Sequence, residues 1–175
     1  MSLHTKVSST DQKQGNNNAG ITFVEYGDYE CPHCGDAYPV VKKLQRHFGD
    51  DLLFVFRNFP LGEIHPYAAE VACAAEAAGV QGKFWPMHDL IFENQQTLSS
   101  RQLLNFGRVI GADIEKLARD MASDAIRDKI ENDMQGGIRS GVNGTPTFFI
   151  NSKRYDGYHD FESLKEVMDK IVSAH

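Results

Sequence analysis

Two cysteines, Cys31 and Cys34, lie three residues apart where a predicted strand gives way to a predicted helix. The β-branched and aromatic residues of segment 21–26 predict the strand, and Pro32 suits the first turn of a helix. A helix N-terminus presents unpaired N–H groups and a partial positive charge, which together stabilise a thiolate. The pattern therefore predicts an exposed, reactive Cys31, with Cys34 one turn further in, better buried and close enough to form a disulfide with it.

The residue between the cysteines can tune their chemistry. His33 can donate a hydrogen bond or, when protonated, place a positive charge beside the Cys31 thiolate. The alternative interpretation is half of a zinc site. Structural zinc takes four ligands, yet the third cysteine, Cys73, is isolated and no two of the seven histidines are three to five residues apart. We therefore expect no metal and no cofactor, and a buried, inert Cys73.

The order of predicted elements indicates an α/β fold. The polar residues 1–20 are predicted to form a lead-in loop, and residues 21–61 a strand–helix–strand unit. Residues 62–141 change to a helical pattern, and residues 142–175 carry a hairpin followed by a helix. The sequence therefore predicts βαβ…ββα around a mixed central sheet, with a helical insertion between the halves.

Charge and hydropathy exclude several classes of protein. The formal net charge is −6 and no Lys/Arg cluster is present, so nucleic acid is not an expected partner. No run approaches the roughly 18 apolar residues of a membrane span, so no membrane insertion is expected. Residues 1–20 lack the apolar core of a secretory signal. The compartment is left open: cytoplasmic if the chain is full length, and periplasmic or otherwise extracytoplasmic if a signal was removed.

Three features then occur in one order: the C-P-H-C tetrapeptide after a strand, Thr145-Pro146 before the ββα half, and a helical insertion between them. Together they resemble the DsbA-like branch of the thioredoxin superfamily, over about residues 21–171. The resemblance implies a thioredoxin-like fold with a helical insertion. It also implies a thiol–disulfide oxidoreductase that exchanges disulfides with protein or peptide thiols and is recycled by a redox partner.

The resemblance implies roles for the tetrapeptide. Cys31 becomes the nucleophile that meets the client, and Cys34 becomes the resolving cysteine. His33, in the dipeptide between them, tunes the reduction potential, and Pro32 is counted with the catalytic residues. The resemblance implies no cofactor.

Residues outside the tetrapeptide are implied as well. Pro146 matches the family's cis-proline facing the disulfide, and Thr145 offers backbone groups to an extended client by strand addition. Glu25, six residues before Cys31, matches the family's buried acid, which relays a proton to the resolving cysteine; a carboxylate in an apolar strand is costly without such a role or a partner. Tyr29 either lies on the rim, in contact with clients, or packs inside.

Several alternatives remain open at this stage. One is a non-catalytic thioredoxin-fold module that binds peptides or a metal, and another is a cytoplasmic reductase or redox sensor. A glutathione-using transferase is disfavoured because Cys34 supplies a second thiol. An isomerase usually dimerises, and no dimerisation segment is present, so we expect a monomer. His65 and His88 are expected to be structural.

Overall fold

The computed structural model describes residues 1–174, which contain five strands and seven α-helices. The strands are β1 Gln12–Gly15, β2 Ile21–Gly27, β3 Leu52–Asn58, β4 Thr147–Ile150 and β5 Lys153–Tyr155. The helices are α1 Pro32–Phe48, α2 Ala68–Val80, α3 Phe84–Glu93, α4 Ser100–Val109, α5 Ile114–Met121, α6 Asp124–Arg139 and α7 Phe161–Ser173. Short 3₁₀ turns occupy Gly49–Asp51 and Gln95–Thr97.

The strands form one mixed sheet in the order β1-β3-β2-β4-β5. Strands β2 and β3 are parallel, with Ile21 opposite Leu52, and the other pairs are antiparallel. Parallel neighbours need a crossover, which α1 supplies. The β2-α1-β3 unit, the inserted helices α2 to α6 and the β4-β5-α7 half confirm the predicted α/β fold.

Strand β1 corrects the prediction that the whole lead-in is a loop. Its three polar residues and Gly15 pair antiparallel with β3, with Gln12 opposite Phe56. Trp85 donates its indole N–H to the Lys13 carbonyl oxygen at 2.9 Å, and the Gln12 amide donates to Glu76 at 2.8 Å. The groups that hold β1 in place therefore lie on distant helices, and the sequence of β1 alone does not predict a strand.

Successive residues of the central strands pack on opposite faces of the sheet. Ile21 and Phe23 join the larger core with α1, α7 and most of the inserted helices. Val24 and Tyr26 join a second core that includes Met134 of α6. The insertion therefore covers both faces, and every odd-numbered side chain of β2 points toward the face that carries α1.

A buried polar group ties the insertion to the end of β3. Asn58 donates its backbone N–H and its side-chain amide to Asp133, at 3.0 and 2.9 Å, and the same amide donates to Glu76 at 2.8 Å. Lys129 donates to Asp133 at 2.7 Å. Asn58 is in register with Gly27 at the end of β2, so this cluster holds the insertion beside the turn that leads to the two cysteines.

Candidate functional site

The two cysteines lie at the start of α1. Cys31 occupies the N-cap position and Pro32 is the first helical residue. Cys31 is 5% exposed and Cys34 is 0% exposed, which corrects the expectation of an exposed Cys31. The Thr145 carbonyl oxygen lies 3.5 Å from its sulfur and accepts a hydrogen bond from it when the thiol is protonated. His33 and Pro32 are exposed.

The two thiols have opposite acid–base properties. The hydrogen bond from Cys34 lowers the pKa of Cys31 to about 5, against a usual value of 9.0, and Thr145 and the backbone N–H groups of Cys34 and His33 add to this effect, while burial opposes it. Burial raises the pKa of Cys34 well above its usual value. At neutral pH the arrangement therefore holds a thiolate at position 31 over a protonated thiol at position 34.

Asp28 organises the turn between β2 and α1. Its backbone carbonyl accepts the Cys31 N–H at 3.1 Å, and its own N–H donates to Cys34 Sγ at 3.5 Å. Its buried carboxylate accepts the Leu61 N–H at 2.8 Å and contacts His65 Nδ1 at 2.7 Å. Sequence reasoning missed Asp28 and treated His65 as structural only, because their pairing depends on the loop after β3.

Gln95 holds the same turn from the insertion side. Its amide Nε2 donates to the carbonyl oxygens of Tyr29 and Cys31, each at 2.8 Å. A side chain at Gly35 would collide with Oε1 of the Gln95 side-chain amide. The glycine therefore leaves room for Gln95 to reach the turn. No motif marks Gln95, because its role arises from how the insertion packs on the turn.

Thr145 and Pro146 reach Cys31 from the start of β4. The peptide bond between them is cis, and Pro146 is buried. The Thr145 hydroxyl is buried and makes no hydrogen bond within residues 1–174. A groove beside them has charged and imidazole side chains on its walls. It is lined by His33, Asp36, Ala37, Thr145, Pro146, His159 and Asp160.

Glu25 is buried in β2, on the face that carries the thiols. It is 3% exposed, and its Oε1 has no hydrogen-bond partner in the described part of the chain. Burial, and to a lesser extent the negative charge of Cys31, raise the pKa of Glu25 to about 8. Because the charge of Glu25 in turn raises the pKa of Cys34, the acid and the buried thiol are electrostatically coupled.

Tyr29 does not lie on the rim of the site, which decides between the two expectations for it. It is 1% exposed, and its hydroxyl shares a 2.9 Å hydrogen bond with His88 Nδ1. Its ring centre lies 5.0 Å from those of Phe56 and Phe92. The aromatic packing of the insertion therefore buries Tyr29, and this position cannot contact a client directly.

Cys73 lies on α2, outside the site. It is partly exposed rather than fully buried as expected, because it lies at the edge of the small cluster around Ala72, Ile126 and Ile130. Burial raises the pKa of its thiol. Within residues 1–174, no group of three or more His, Cys, Asp or Glu side chains is placed to hold a metal ion.

Comparison with known proteins decides the family. A family model described as Thioredoxin matches residues 7–170. The chain belongs to the thioredoxin family. Among solved structures, a thioredoxin-like oxidoreductase from Silicibacter pomeroyi is 27% identical to this thioredoxin-family chain, with a TM-score of 0.82 over 96% of this chain and 95% of that one.

Two further structures resemble the thioredoxin-family chain in fold. BdbD from Bacillus subtilis is 23% identical, with a TM-score of 0.85 and 98% of each chain covered. The thiol-disulfide exchange protein α-DsbA2 from Wolbachia pipientis is 23% identical, with a TM-score of 0.83 over 93% of this chain and 88% of that one. These two likenesses show a shared thioredoxin-like fold, and the family match confirms the predicted membership of the thioredoxin superfamily.

Longer proteins contain a similar segment. The Na(+)/H(+) antiporter NhaA 1 of Salinispora arenicola is 42% identical over 164 residues, which are 94% of this chain and 25% of that protein. The NhaA antiporter of Herminiimonas arsenicoxydans is 36% identical over 159 residues, 91% and 25% of the two proteins. The chain thus spans about a quarter of the length of the curated relatives it matches. None of the helices in residues 1–174 combines the length and the apolar character that crossing a membrane requires.

Proposed function

We propose that this thioredoxin-family chain is a thiol–disulfide oxidoreductase that exchanges disulfides with protein or peptide clients. One observation carries the proposal: two cysteines one helical turn apart have opposite acidity, with a pKa of about 5 at Cys31 and a raised pKa at Cys34. The names of the similar structures, a thioredoxin-like oxidoreductase and a thiol-disulfide exchange protein, support it.

Exchange in the oxidising direction begins with a Cys31–Cys34 disulfide. A client thiolate attacks the sulfur of Cys31, a client–Cys31 bond forms, and Cys34 leaves with the electron pair and takes up a proton. A second client thiolate then attacks the client sulfur of the mixed disulfide, and Cys31 leaves as a thiolate. Two electrons pass from client to protein. The low pKa of Cys31 makes it a good leaving group in this second step.

Glu25 is suited to move the proton of Cys34. At neutral pH its carboxyl is protonated, because its pKa is about 8, and its Oε1 is not engaged by another group within residues 1–174. A neutral buried acid can give a proton to the departing Cys34 thiolate and recover it when Cys34 attacks in the reverse direction. We therefore assign Glu25 the role of proton relay.

The segment beside Cys31 is suited to hold the client. Thr145 is partly exposed and lies in contact with the Cys31 sulfur, so an extended client that pairs with its backbone brings a cysteine to the reacting atom. The neighbouring groove presents His33 and His159 to the client. Burial, and then the charge of His33, lower the pKa of His159, which favours an uncharged His159 at neutral pH.

A stabilised thiolate favours the reduced state of the pair. For a two-electron couple, each pKa unit of stabilisation is worth about 30 mV of reduction potential. We therefore propose that the chain accepts electrons from its clients, as an oxidase does, and that a separate redox partner reoxidises it. A potential near that of thioredoxin would instead favour the reductase or redox-sensor alternative.

Cysteine variants test the proposal directly. Cys31→Ser is expected to abolish exchange with a disulfide-bonded or dithiol peptide, whereas Cys34→Ser is expected to trap mixed disulfides with it. Cys73→Ser is the matched control and is expected to exchange at the wild-type rate, since Cys73 lies outside the site. Full activity of Cys31→Ser, or a wild-type pair that stays reduced under oxidant, would contradict the proposal and favour a binding module.

A further inference from the structure

We propose that His65, held by Asp28, is a redox-linked proton site: it binds a proton when a client dithiol reduces the Cys31–Cys34 disulfide and releases it when the disulfide re-forms. The inference rests on the proposed thiol–disulfide exchange and adds a positioning residue to it. Among the described residues, His65 pairs with Asp28 and makes no hydrogen bond to either reacting sulfur atom. It acts through its charge and through Asp28.

Asp28 contacts both cysteines and the imidazole of His65. The backbone of Asp28 accepts from Cys31 and donates to Cys34, while its carboxylate lies 2.7 Å from His65 Nδ1. The Asp28 side chain is 0% exposed and that of His65 is 19% exposed. The imidazole thus joins a buried anion in the thiol turn to the solvent from which protons come.

Acidic groups from three segments of the chain face His65. The turn between β2 and α1 contributes Asp28 and Glu30, and the start of α1 contributes Cys31; Glu63, in the same loop as His65, is exposed. Glu30 is fixed near this loop because its carboxylate accepts the Tyr67 N–H at 2.7 Å. Apart from the exposed Glu63, these charges belong to carboxylates with defined partners, Asp28 and Glu30, or to Cys31.

Of the charges near His65, only that of Cys31 depends on the redox state of the protein. The hydrogen bond from Asp28, and then the negative charges of Asp28, Cys31 and Glu30, raise the pKa of His65, while burial opposes them. The carboxylates are present in both states, whereas Cys31 is a thiolate when reduced and uncharged in the disulfide. By linkage, His65 holds its proton more tightly in the reduced protein.

The proton balance of the exchange then closes. A client dithiol loses two electrons and two protons as its disulfide forms, and the Cys31–Cys34 bond breaks. One proton goes to Cys34, and Cys31 remains a thiolate. The second proton goes to His65 at pH values between the midpoints of its imidazole in the oxidised and the reduced protein, and to solvent at other pH values. The imidazolium formed in this way stabilises the product thiolate.

Proton NMR titration of the wild-type protein tests the inference, and the variant His65→Gln serves only to assign the resonance. The His65 Hε1 resonance, identified by its absence in His65→Gln, is expected to titrate at a higher pH in the reduced protein than in the oxidised one. His47 lies near the far end of the 17-residue helix α1, about 24 Å from Cys31 along the helix, so its Hε1 chemical shift is expected to differ little between the two redox states. Equal His65 midpoints would overturn the inference.

Equilibration with glutathione gives a second readout. At pH 6, His65→Gln is expected to lower the equilibrium constant for electron acceptance about threefold to tenfold, as the loss of 0.5–1 pKa unit of thiolate stabilisation requires. The deficit is expected to shrink as the pH rises through the His65 midpoint, and His47→Gln should show none. A deficit independent of pH would refute the inference. If the wild type itself fails to exchange, the proposed function fails instead.

Discussion

The side-chain amide of Gln95 and the backbone carbonyl of Cys31 form a 2.8 Å hydrogen bond that joins the helical insertion to the thiol turn. The same amide donates to the Tyr29 carbonyl, so one side chain fixes two carbonyls on either side of the residue that precedes Cys31. With these carbonyls held, the N–H groups at the start of α1 stay directed at the Cys31 sulfur. The insertion therefore takes part in setting thiol chemistry.

Replacing Gln95 by Met removes both hydrogen bonds and keeps the size of the side chain. The expected result is a loss of about 1–3 kcal/mol of unfolding free energy, because the Tyr29 and Cys31 carbonyls each lose one hydrogen bond, although Cys31 keeps the one from the Gly35 N–H, together with a higher pKa of Cys31. Gln96 is exposed and makes no hydrogen bond within the described residues, so Gln96→Met is the matched control. Denaturant unfolding and thiolate titration of both variants measure the effects; identical results would contradict the role of Gln95.

The Thr145 hydroxyl is expected to stabilise the thiolate rather than the thiol. It has no hydrogen-bond partner in residues 1–174. When Cys31 is a thiolate, the hydroxyl can donate to its sulfur, and this hydrogen bond lowers the pKa of Cys31. Thr145→Val is expected to raise the Cys31 midpoint and slow its alkylation by iodoacetamide at pH 6, whereas Thr145→Ser should preserve both. A Val variant with wild-type alkylation kinetics would be inconsistent with this role.

Glu25→Gln separates the stability and the proton-relay roles of the buried acid. The folded pKa of Glu25 is about 8 and the reference value is 4.5, so the wild type loses stability between these pH values, by up to about 1.4 kcal/mol per pH unit. The stability of the variant relative to the wild type is therefore expected to rise from pH 4.5 to 8 and then level off. Urea unfolding of the reduced proteins measures this difference, while release of a mixed disulfide should slow. A pH-independent difference would argue against a protonated Glu25.

Much of the fold and part of the site follow from the sequence. Strand β2 and the apolar run of β3 have unmistakable patterns, and Cys31 and Pro32 at a strand–helix junction indicated the reactive position. Strand β1 had no such signal, since its pairing depends on Trp85 and Glu76 far along the chain. Local patterns report local structure, and these contacts are not local.

The same limit explains which site residues were missed. Gln95 and Asp28 act through backbone groups of the thiol turn, and neither contact has a sequence motif. Tyr29 could not be assigned to rim or core from sequence, because its burial depends on His88 and the aromatic side chains of α3. Cys31 is more covered than its position in the tetrapeptide suggested, because Thr145 reaches it from the other half of the fold.

The reduced protein is expected to gain stability relative to the oxidised protein as the pH rises from 5 to 9. The folded pKa of Cys31 is lowered from 9.0 to about 5, so its stabilisation is present in full above pH 9 and is lost as the pH falls toward 5. Thermal unfolding of both redox forms of the wild type across this range measures the effect. Cys31→Ser, which cannot form the disulfide, should lack the gain in stability that the reduced wild type shows. An oxidised form that gains stability over the reduced form with rising pH would contradict the expectation.

The most direct test of the account is the absorbance of the thiolate near 240 nm as the reduced protein is titrated, with Cys31→Ser as the blank. A single transition at Cys31 with a midpoint near pH 5 is expected. A midpoint close to 9.0, the usual value of a cysteine, would mean that the start of α1, Cys34 and Thr145 do not stabilise the thiolate, and the proposed chemistry would then have no physical basis.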